Sequence, residues 1–555
     1  MPTTNRPVSD ANEESNVADN GCRPVSRRMF WLFAAAHLTV WTLVPSLGHS
    51  NLPADTVEML FCGHEWQLGY HKHPPLPSWI AEAAFVASGR SEWALYLVSQ
   101  ITVVLGFWAV WRLANEMVAP RMALLSVCVL DCCFFYTYSS TEYNNNVAMY
   151  PCWTLSVLFL YWALQHGRGK GTQGVPGPHL CEAPSGPFRQ MGTVPFSSHG
   201  NYRYWLVVGA ALGFGLLSKY TTTILVCTIV AFLVIHPKTR YVWRKPGVYL
   251  MLLTAMLVFS PHVVWAIRHG LPTIGYALER TRSTAGLAGY VVNPLWFTTD
   301  QLAEVLPISV VISLLTGWRL RLRHLEGTAR FQREFLLGMV LLPFLAHLVF
   351  ASAFNTHLRP VYGSQLWLFF GLLLLVCFEI RSTPVRWALA WGCCGVLACV
   401  FILAMLCHDF AGPYFRGRES QASRTAFPGR ELAREVESLW NRRYGQPLKI
   451  VSGEWWLAGN VAAYGKHRPR VFPSVNPDKA RMPPNYCAWL HDDDLNRRGA
   501  VILWDSAHAP DGLQADLYAR FHITETVDLP LDSTAGAPST RIHAAIIPPE
   551  EARAK

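Results

Sequence analysis

Charged side chains are scarce in this sequence, and their scarcity argues against a chain of soluble domains. Only 15% of the 555 residues are Asp, Glu, Lys or Arg, whereas 51% are apolar and 13% are aromatic. Many of the apolar residues collect in runs of roughly 20, the length of helix that crosses a hydrocarbon core about 30 Å thick. The composition therefore predicts a protein that crosses a bilayer many times.

The fourteen cysteines lack the spacing of a zinc site or of a disulfide framework. No C-x-x-C pair occurs in the sequence, and ten of the cysteines lie in apolar runs, where a thiol behaves as a small hydrophobic group. Cys62 and Cys487 both fall in segments predicted to lie outside, so a bridge between them stays open. Internal repeats are not evident either, which weighs against transporters built from repeats.

The basic residues are not clustered in the way that a nucleic-acid-binding site requires. The net charge is +10, but Lys and Arg occur in short groups between the apolar runs, so no nucleic-acid partner is expected. With a cytoplasmic N-terminus these groups fall in inside loops at every turn, as the positive-inside rule predicts. An odd number of spans then places the C-terminal tail outside. About eleven spans are predicted, at 29–47, 93–111, 122–141, 147–165, 204–217, 220–236, 247–267, 302–318, 335–354, 361–380 and 387–407.

The chain divides into a polar tail, a helical membrane region and a C-terminal domain. Residues 1–28 are predicted to be a disordered cytoplasmic tail, and residues 29–408 are predicted to form the α-helical multi-pass region. Within that region, 48–92 is an outside loop, and the Gly-, Ser- and Pro-rich stretch 166–203 is a flexible cytoplasmic loop. Residues 409–555 predict an extracytoplasmic α/β domain. Its predicted elements are a helix at 430–443, strands at 448–451 and 500–504, and a helix at 515–521.

The first outside loop holds the densest group of polar side chains. Asp55 and Glu58 are three residues apart, so on a helix they share one face. The apolar residues around them predict an amphipathic helix that rests on the membrane surface. A basic cluster, His71–His73, follows, and Pro74–Pro75 fixes an extended turn. The loop therefore places two carboxylates and a cationic cluster close to the lipid boundary.

These groups suit the transfer of a sugar from a polyprenyl phosphate, whose headgroup lies at the outer surface of the bilayer. A carboxylate such as Asp55 can take the proton of an acceptor hydroxyl or amine. A cation such as Lys72 can stabilise the charge that develops on the departing phosphate. Because phosphate is already a good leaving group, the electrostatic contribution matters more than a strong general acid.

The same residues resemble a known family. D-x-x-E at 55–58 and G-Y-x-x-H-P-P-L-x-x-W at 69–79 resemble the bacterial branch of the dolichyl-phosphate-mannose protein mannosyltransferases, glycosyltransferase family 39. This group has the GT-C membrane fold and is related to the lipid A aminoarabinose transferase. Further pieces of the resemblance follow in the expected order: E-Y-N-N-N-V-A-M-Y-P-C-W at 142–153, G-L-L-S-K-Y-T at 215–221, S-P-H-V-V-W at 260–265 and E-W-W-L-A-G-N-V-A-A-Y at 454–464.

The resemblance implies an inverting glycosyltransferase that uses a polyprenyl-phosphate-linked sugar in a bacterial inner membrane, with its C-terminal domain in the periplasm. The acceptor would be lipid A or another lipid, a glycan or a protein. Asp55 matches the family's catalytic aspartate, and Glu58 matches the second acid of that motif. Stretch 355–359 corresponds to a later Lys-x-His-Trp element, of which this chain keeps only the His. The residues expected to contact the donor phosphate are Lys72, His73, Lys219, His357 and Arg359.

Each of these residues also has an ordinary structural interpretation. Asp55 would cap the N-terminus of its helix, and Lys72 would extend toward lipid headgroups. Asp131 lies in the middle of a predicted span. Such an acid either has a function or has its hydrogen-bonding needs met by side chains of neighbouring spans. No metal or other cofactor is expected. The alternative is a divalent cation held by the carboxylate and imidazole groups of Asp55, Glu58, His64 and Glu65.

Two other functions remain as alternatives. A transporter or flippase would move a lipid-linked sugar without chemistry, and it predicts functional polar groups buried at mid-membrane. A membrane-anchored binding protein would carry its function in the C-terminal domain alone.

Overall fold

The membrane region is a set of helices joined by short connections. The computed structural model describes residues 8–166, 202–281, 283, 285–380, 383–407, 424–475, 487–505, 513–531 and 541–553. Most of the predicted cytoplasmic loop 166–203 lies outside the described residues. In chain order the helices are α1 (Val8–Gly48), α2 (Ala54–Gly63), α3 (Leu76–Ala87), α4 (Trp93–Ala114), α5 (Pro120–Cys128), α6 (Asn145–His166), α7 (Tyr202–Ser218), α8 (Thr222–Ile235), α9 (Pro246–Arg268), α10 (Pro272–Thr281), α11 (Gly289–Thr316), α12 (Gly327–Ala353), α13 (Phe370–Cys377) and α14 (Pro384–Leu406).

Seven of the described helices are long and apolar enough to cross a membrane, namely α1, α4, α6, α9, α11, α12 and α14. Two bent pairs, Pro120–Cys132 with Phe134–Thr141 and Pro360–Trp367 with Phe370–Cys377, raise the number to nine if each pair is one span. The predicted spans at 204–217 and 220–236 correspond to α7 and α8, which have 17 and 14 residues. Both are shorter than the roughly 20 residues that a span needs, so the number eleven stays a prediction.

Helix α1 begins at Val8, within the segment predicted to be disordered. Only the part from Ser26 onward is apolar enough to span a membrane. Residues 1–7 lie outside the described residues.

The predicted span at 122–141 is broken, and Asp131 lies at the break. Its two halves meet at 90°, because Cys133 adopts an extended backbone between two 3₁₀ turns. The Asp131 carboxylate is 2.6 Å from Nδ1 of His37 on α1, and the other ring nitrogen of His37 is 3.0 Å from Oε1 of Gln100. Neighbouring spans thus satisfy Asp131, which agrees with its structural interpretation.

The C-terminal domain is a five-stranded sheet covered by helices on both faces. Its strands lie in the order β2-β1-β3-β5-β4, with β2, β1 and β3 parallel and β5 antiparallel to both neighbours. Helices α15 and α16 cover one face, and α17 and α18 cover the other. The α/β prediction is confirmed. The elements are α15 (Gly429–Tyr444), β1 (Ile450–Glu454), α16 (Trp455–Tyr464), β2 (Arg470–Val475), α17 (Asp492–Arg498), β3 (Ala500–Asp505), α18 (Leu513–Arg520), β4 (Glu525–Pro530), β5 (Arg541–Ile547) and α19 (Glu550–Arg553).

Helix α2 is covered by this domain. Nine of its ten residues are buried, and Asp55 is the exception. Gly459 on α16 lies so close to α2 that a Cβ there would come within 2.9 Å of the Val57 side chain. The predicted amphipathic helix on the membrane surface is therefore wrong: the apolar faces of α2 pack against α3 and α16, which begins some 390 residues later in the chain.

Two bidentate ion pairs attach the C-terminal domain to the outside loop. The guanidinium of Arg468 donates to both oxygens of Glu82 at 2.8 and 2.7 Å, and both side chains are almost fully buried. Arg470 binds Glu65 in the same way. The bridge between Cys62 and Cys487 does not form, since both thiols are free.

Candidate functional site

Asp55 lies in the first turn of α2, at the junction between the membrane helices and the C-terminal domain. Pro53 occupies the cap position, without a side-chain cap bond of its own, so Asp55 does not have the capping role that its sequence position allowed. Its backbone N–H donates to Oε1 of Glu142 at 2.8 Å. Because it is the one residue of α2 that is not buried, its carboxylate is the accessible acid of this helix.

Glu142 follows the broken span and forms a pair of acids with Asp55. Burial raises the pKa of Glu142 to about 7, and the nearby charge of Asp55 adds to the rise. Glu142 was not among the predicted site residues. It nevertheless opens the second motif of the resemblance, at 142–153, and that was the signal for it.

Lys219 lies in the turn between α7 and α8, within electrostatic reach of Asp55. Its ammonium donates to Oδ1 of Asn146, a residue of the same 142–153 motif, and lies 4.2 Å from the centre of the Tyr362 ring. Burial lowers the pKa of Lys219 to about 7, although the charge of Asp55 opposes this shift. The structure thus brings three separate motifs to one place.

Glu58, three residues after Asp55 on α2, is paired with Lys72. The ammonium of Lys72 is 2.8 Å from Oε1 of Glu58 and 4.5 Å from the centre of the Trp455 ring. Burial raises the pKa of Glu58, although Lys72 opposes the rise. The interpretation of Lys72 as a residue that extends to lipid headgroups is wrong, because its charge is held between an acid and the C-terminal domain.

His73 lies within electrostatic reach of both lysines. Burial lowers its pKa well below the usual value, and the charges of Lys72 and Lys219 lower it further. His73 is therefore neutral near pH 7. It can offer a ring N–H to a phosphate as a hydrogen bond but brings no positive charge.

His357 and Arg359 lie on the connection between α12 and the 3₁₀ helix Pro360–Trp367, and both side chains are exposed. The backbone N–H of His357 donates to the carbonyl of Thr281 at 2.9 Å. Within the described part of the chain, no hydrogen bond or ion pair joins the His357 side chain to the other site residues. Arg359 is nearer to the site than His357 is, because its charge acts on Tyr362, whose ring is in contact with the Lys219 ammonium.

The C-terminal segment adds residues to the site that were not predicted from the sequence. Arg424 acts electrostatically on both Glu58 and Glu142, and its guanidinium lies 5.9 Å from the centre of the Trp455 ring. No motif marked Arg424 or Tyr362. Trp455 belongs to the 454–464 motif but had no assigned role.

The acids proposed as alternative metal ligands have other partners. Glu58 pairs with Lys72 and Glu65 with Arg470, while His64 is 3.3 Å from Glu82. Among the residues that the structure describes, no group of three His, Cys, Asp or Glu side chains could hold a metal ion.

A small cavity opens on the Glu58 side of α2, between the outside loop and the C-terminal domain. It is enclosed by residues from α2, the His71–His73 cluster, the start of α3 and the C-terminal domain. These are Glu58, Met59, Cys62, Tyr70, His71, Lys72, His73, Ser78 and Trp489.

The chain is similar to known proteins over most of its length. The family model described as dolichyl-phosphate-mannose-protein mannosyltransferase matches residues 72–174 and 193–265, a region that includes Lys219 but not Asp55. The lipopolysaccharide core galacturonosyltransferase RgtB of Rhizobium johnstonii is 22% identical over 531 residues, which cover 91% of this chain and 94% of that protein.

The fold also matches a solved structure, that of ArnT from Cupriavidus metallidurans bound to undecaprenyl phosphate. The TM-score is 0.59 at 13% identity, and the match covers 94% of this chain and 98% of that one. This match confirms the predicted fold, and the family model and the Rhizobium relative agree with the predicted resemblance. The chain thus has the GT-C membrane fold and is similar to the dolichyl-phosphate-mannose protein mannosyltransferases.

Proposed function

We propose that the chain transfers a sugar from a polyprenyl-phosphate donor to an acceptor on the outer face of a bacterial inner membrane, with Asp55 as the general base. The observation that carries the assignment is the placement of Asp55. It is the accessible acid of α2, and Lys219 lies within electrostatic reach of it. A carboxylate and a cation at the outside ends of membrane helices suit a reaction between a lipid phosphate and an acceptor group.

The reaction follows from these positions. The acceptor oxygen or nitrogen attacks C1 of the sugar from the face opposite the phosphate, and its proton passes to the carboxylate of Asp55. The bond between C1 and the phosphate oxygen breaks, so the sugar inverts at C1 and polyprenyl phosphate leaves. Lys219 stabilises the negative charge on that phosphate, and His73 can donate a hydrogen bond to it.

Glu142 adjusts the charge beside the base. With a pKa of about 7, it is partly protonated under neutral conditions. A protonated Glu142 leaves Asp55 as the one negative charge of the pair, which reduces repulsion of the incoming phosphate. When Glu142 loses its proton, the site becomes more negative and binds the donor less well.

The relatives support this donor and one class of acceptor. The structure of ArnT holds undecaprenyl phosphate, and the Rhizobium relative is named for the lipopolysaccharide core. We therefore propose undecaprenyl phosphate or a similar polyprenyl phosphate as the carrier and a lipopolysaccharide glycan as the acceptor, with other lipids, glycans and proteins as alternatives. The transporter alternative requires functional polar groups at mid-membrane; Asp131, the group that the sequence marked for this role, is instead hydrogen-bonded to His37.

Asp55→Asn tests the assignment, with Asp493→Asn as the matched control. Asp493 is exposed on α17 of the C-terminal domain, so its variant makes the same change of charge far from the site. Loss of a general base lowers the rate by roughly 10²–10⁴-fold. We expect membranes that contain Asp55→Asn at a normal protein level to lose transfer from a labelled polyprenyl-phosphate sugar, and those with Asp493→Asn to keep it. Undiminished transfer by Asp55→Asn would refute the role of Asp55.

The proposed topology has a separate test. The N-terminus is placed in the cytoplasm, and the outside loop 48–92 and the C-terminal domain are placed in the periplasm. Reporter fusions within 48–92 and at the C-terminus should be active in the periplasm. Cytoplasmic activity at 48–92 would put Asp55 on the wrong side for a lipid-linked donor on the outer face.

A further inference from the structure

We propose that His262 is a positioning residue of the donor site, which fixes the loop that carries Lys72 and His73 relative to the turn that carries Lys219. His262 belongs to the motif at 260–265, which has no part in the reaction as described above. The inference rests on the proposed function, because it assigns the donor phosphate to the space between these two segments.

The imidazole of His262 bridges the two segments directly. Its Nδ1 lies 2.8 Å from the carbonyl oxygen of Leu68, and its Nε2 lies 2.6 Å from the hydroxyl of Tyr220, the neighbour of Lys219. A carbonyl only accepts hydrogen bonds, so Nδ1 carries the proton, and Nε2 of the neutral ring accepts from Tyr220. The side chain is buried, so both bonds are made away from solvent.

The loop is held at three carbonyl groups by three different helices. The indole N–H of Trp79 on α3 donates to the carbonyl of Gln67 at 2.9 Å. His262 on α9 binds the next carbonyl, and the hydroxyl of Thr273 on α10 donates to the carbonyl of Tyr70 at 3.0 Å. Such a loop can present its lysine and histidine without the cost of ordering them when a ligand binds.

Gly69 shows how closely the loop is seated on α9. A Cβ at this position would lie 2.2 Å from the Trp265 ring and 2.7 Å from Nδ1 of His262. No side chain fits there, so the backbone lies directly against the two rings of α9. The same His262 therefore packs against the loop and bonds to it.

The spacing matters because the two lysines act on one group. His73 lies within electrostatic reach of both Lys72 and Lys219, so a phosphate at His73 would feel both. A loop that moves by an ångström relative to Lys219 weakens this joint contact while Asp55 on α2 stays in place. The loss of His262 should consequently appear in donor binding rather than in the chemical step.

The test compares purified wild-type protein with His262→Leu and His262→Gln, by transfer kinetics and by direct binding of undecaprenyl phosphate. We expect His262→Leu to raise the donor KM and the dissociation constant of undecaprenyl phosphate about tenfold, as expected for one or two lost hydrogen bonds. The acceptor KM and kcat should change little. Gln can donate to Leu68 and accept from Tyr220, so His262→Gln should recover most of the affinity.

Two further variants separate positioning from a general loss of structure. His236→Leu removes a 3.0 Å contact between α8 and Glu334 of α12, near the end of α8 farthest from Lys219, and should leave the donor KM unchanged. Tyr220→Phe removes one of the two bonds of His262 and should weaken binding less than His262→Leu does. If His262→Leu does not fold, the comparison of Tyr220→Phe with wild type decides the question.

The outcomes distinguish this inference from the proposed function. If the wild-type protein binds undecaprenyl phosphate but transfers no sugar, the proposed function is refuted. The comparison of binding between the variants would still test the role of His262. Equal affinity of wild type, His262→Leu and Tyr220→Phe for undecaprenyl phosphate would overturn the positioning role, whatever the transfer assay gives. A raised acceptor KM with an unchanged donor KM would overturn it as well.

Discussion

Two acids of similar chemistry, one turn apart on α2, lie in different surroundings. Asp55 is accessible and lies beside Glu142 and Lys219, on the side of the membrane helices. Glu58, one turn later, is buried against the C-terminal domain and is neutralised by Lys72. The two acids therefore differ in role although they lie on the same short helix. Asp55 can react and Glu58 stabilises the structure, because the environment sets the role of a carboxylate.

The largest expected effect concerns the attachment of the C-terminal domain, which covers the Glu58 side of α2. Arg468→Leu would leave Glu82 buried without its guanidinium, and removal of one partner of a buried pair costs roughly 3–5 kcal/mol. We expect the variant to unfold at a much lower temperature, or the C-terminal domain to be cleaved much faster by protease. Arg497→Leu is the control, because its pair with Asp494 is exposed and is worth at most about 1 kcal/mol. Equal stability of both variants would mean that the domain is not held by this pair.

The second effect compares the two lysines. Lys219→Gln removes a cation that faces Asp55, and we expect transfer to fall by roughly 10²-fold, as when one stabilising donor is lost. Lys72→Gln should cost about tenfold, less than Lys219→Gln does, since Glu58 partly neutralises this lysine and the buried acid can take up a proton in its absence. Initial rates at a saturating acceptor concentration measure both. Equal losses would show that Lys72 contacts the phosphate as directly as Lys219 does.

The smallest effect is a dependence of donor binding on pH. The pKa of Lys219 is lowered to about 7, so the ammonium is charged below this pH and neutral above it. Glu142, whose pKa is raised to about 7, becomes negative over the same interval. Both changes disfavour phosphate, and we expect the donor KM to rise about tenfold between pH 6 and pH 8.

Two substitutions sharpen this pH dependence. Lys219→Arg keeps its charge at every pH in this interval, and Glu142→Gln cannot ionise, so each should reduce the rise in donor KM. A donor KM that rises equally in wild type and in the variant carrying both substitutions would show that other groups titrate. Kinetic measurements at fixed ionic strength across the interval provide the check.

The position of the accessible acid could be predicted from the sequence. Asp55 and Glu58 lie on a short helix, and the motifs at 142–153 and 215–221 converge on Asp55 in the structure. The prediction agrees with the structure because the motif residues lie at the ends of spans, and the packing of the spans brings those ends together. The α/β architecture of the C-terminal domain followed in the same way from its periodic pattern.

The division of labour between the two acids could not be predicted from the sequence. The partner of Glu58 is fourteen residues away across a loop, and spacing alone does not show how a loop folds back. Arg424 and Trp455 come from the far end of the chain, and the helix that covers α2 begins at Trp455. Only the tertiary structure reveals that α2 is a buried helix rather than one on the membrane surface.

The measurement that tests this account most directly is the rate of sugar transfer by Asp55→Asn and Glu58→Gln, prepared side by side at equal protein levels. The account predicts that Asp55→Asn retains less than about one hundredth of the wild-type rate, while Glu58→Gln retains at least about a tenth. Similar losses in the two variants, or a larger loss in Glu58→Gln, would contradict the claim that the two acids of α2 have separate roles.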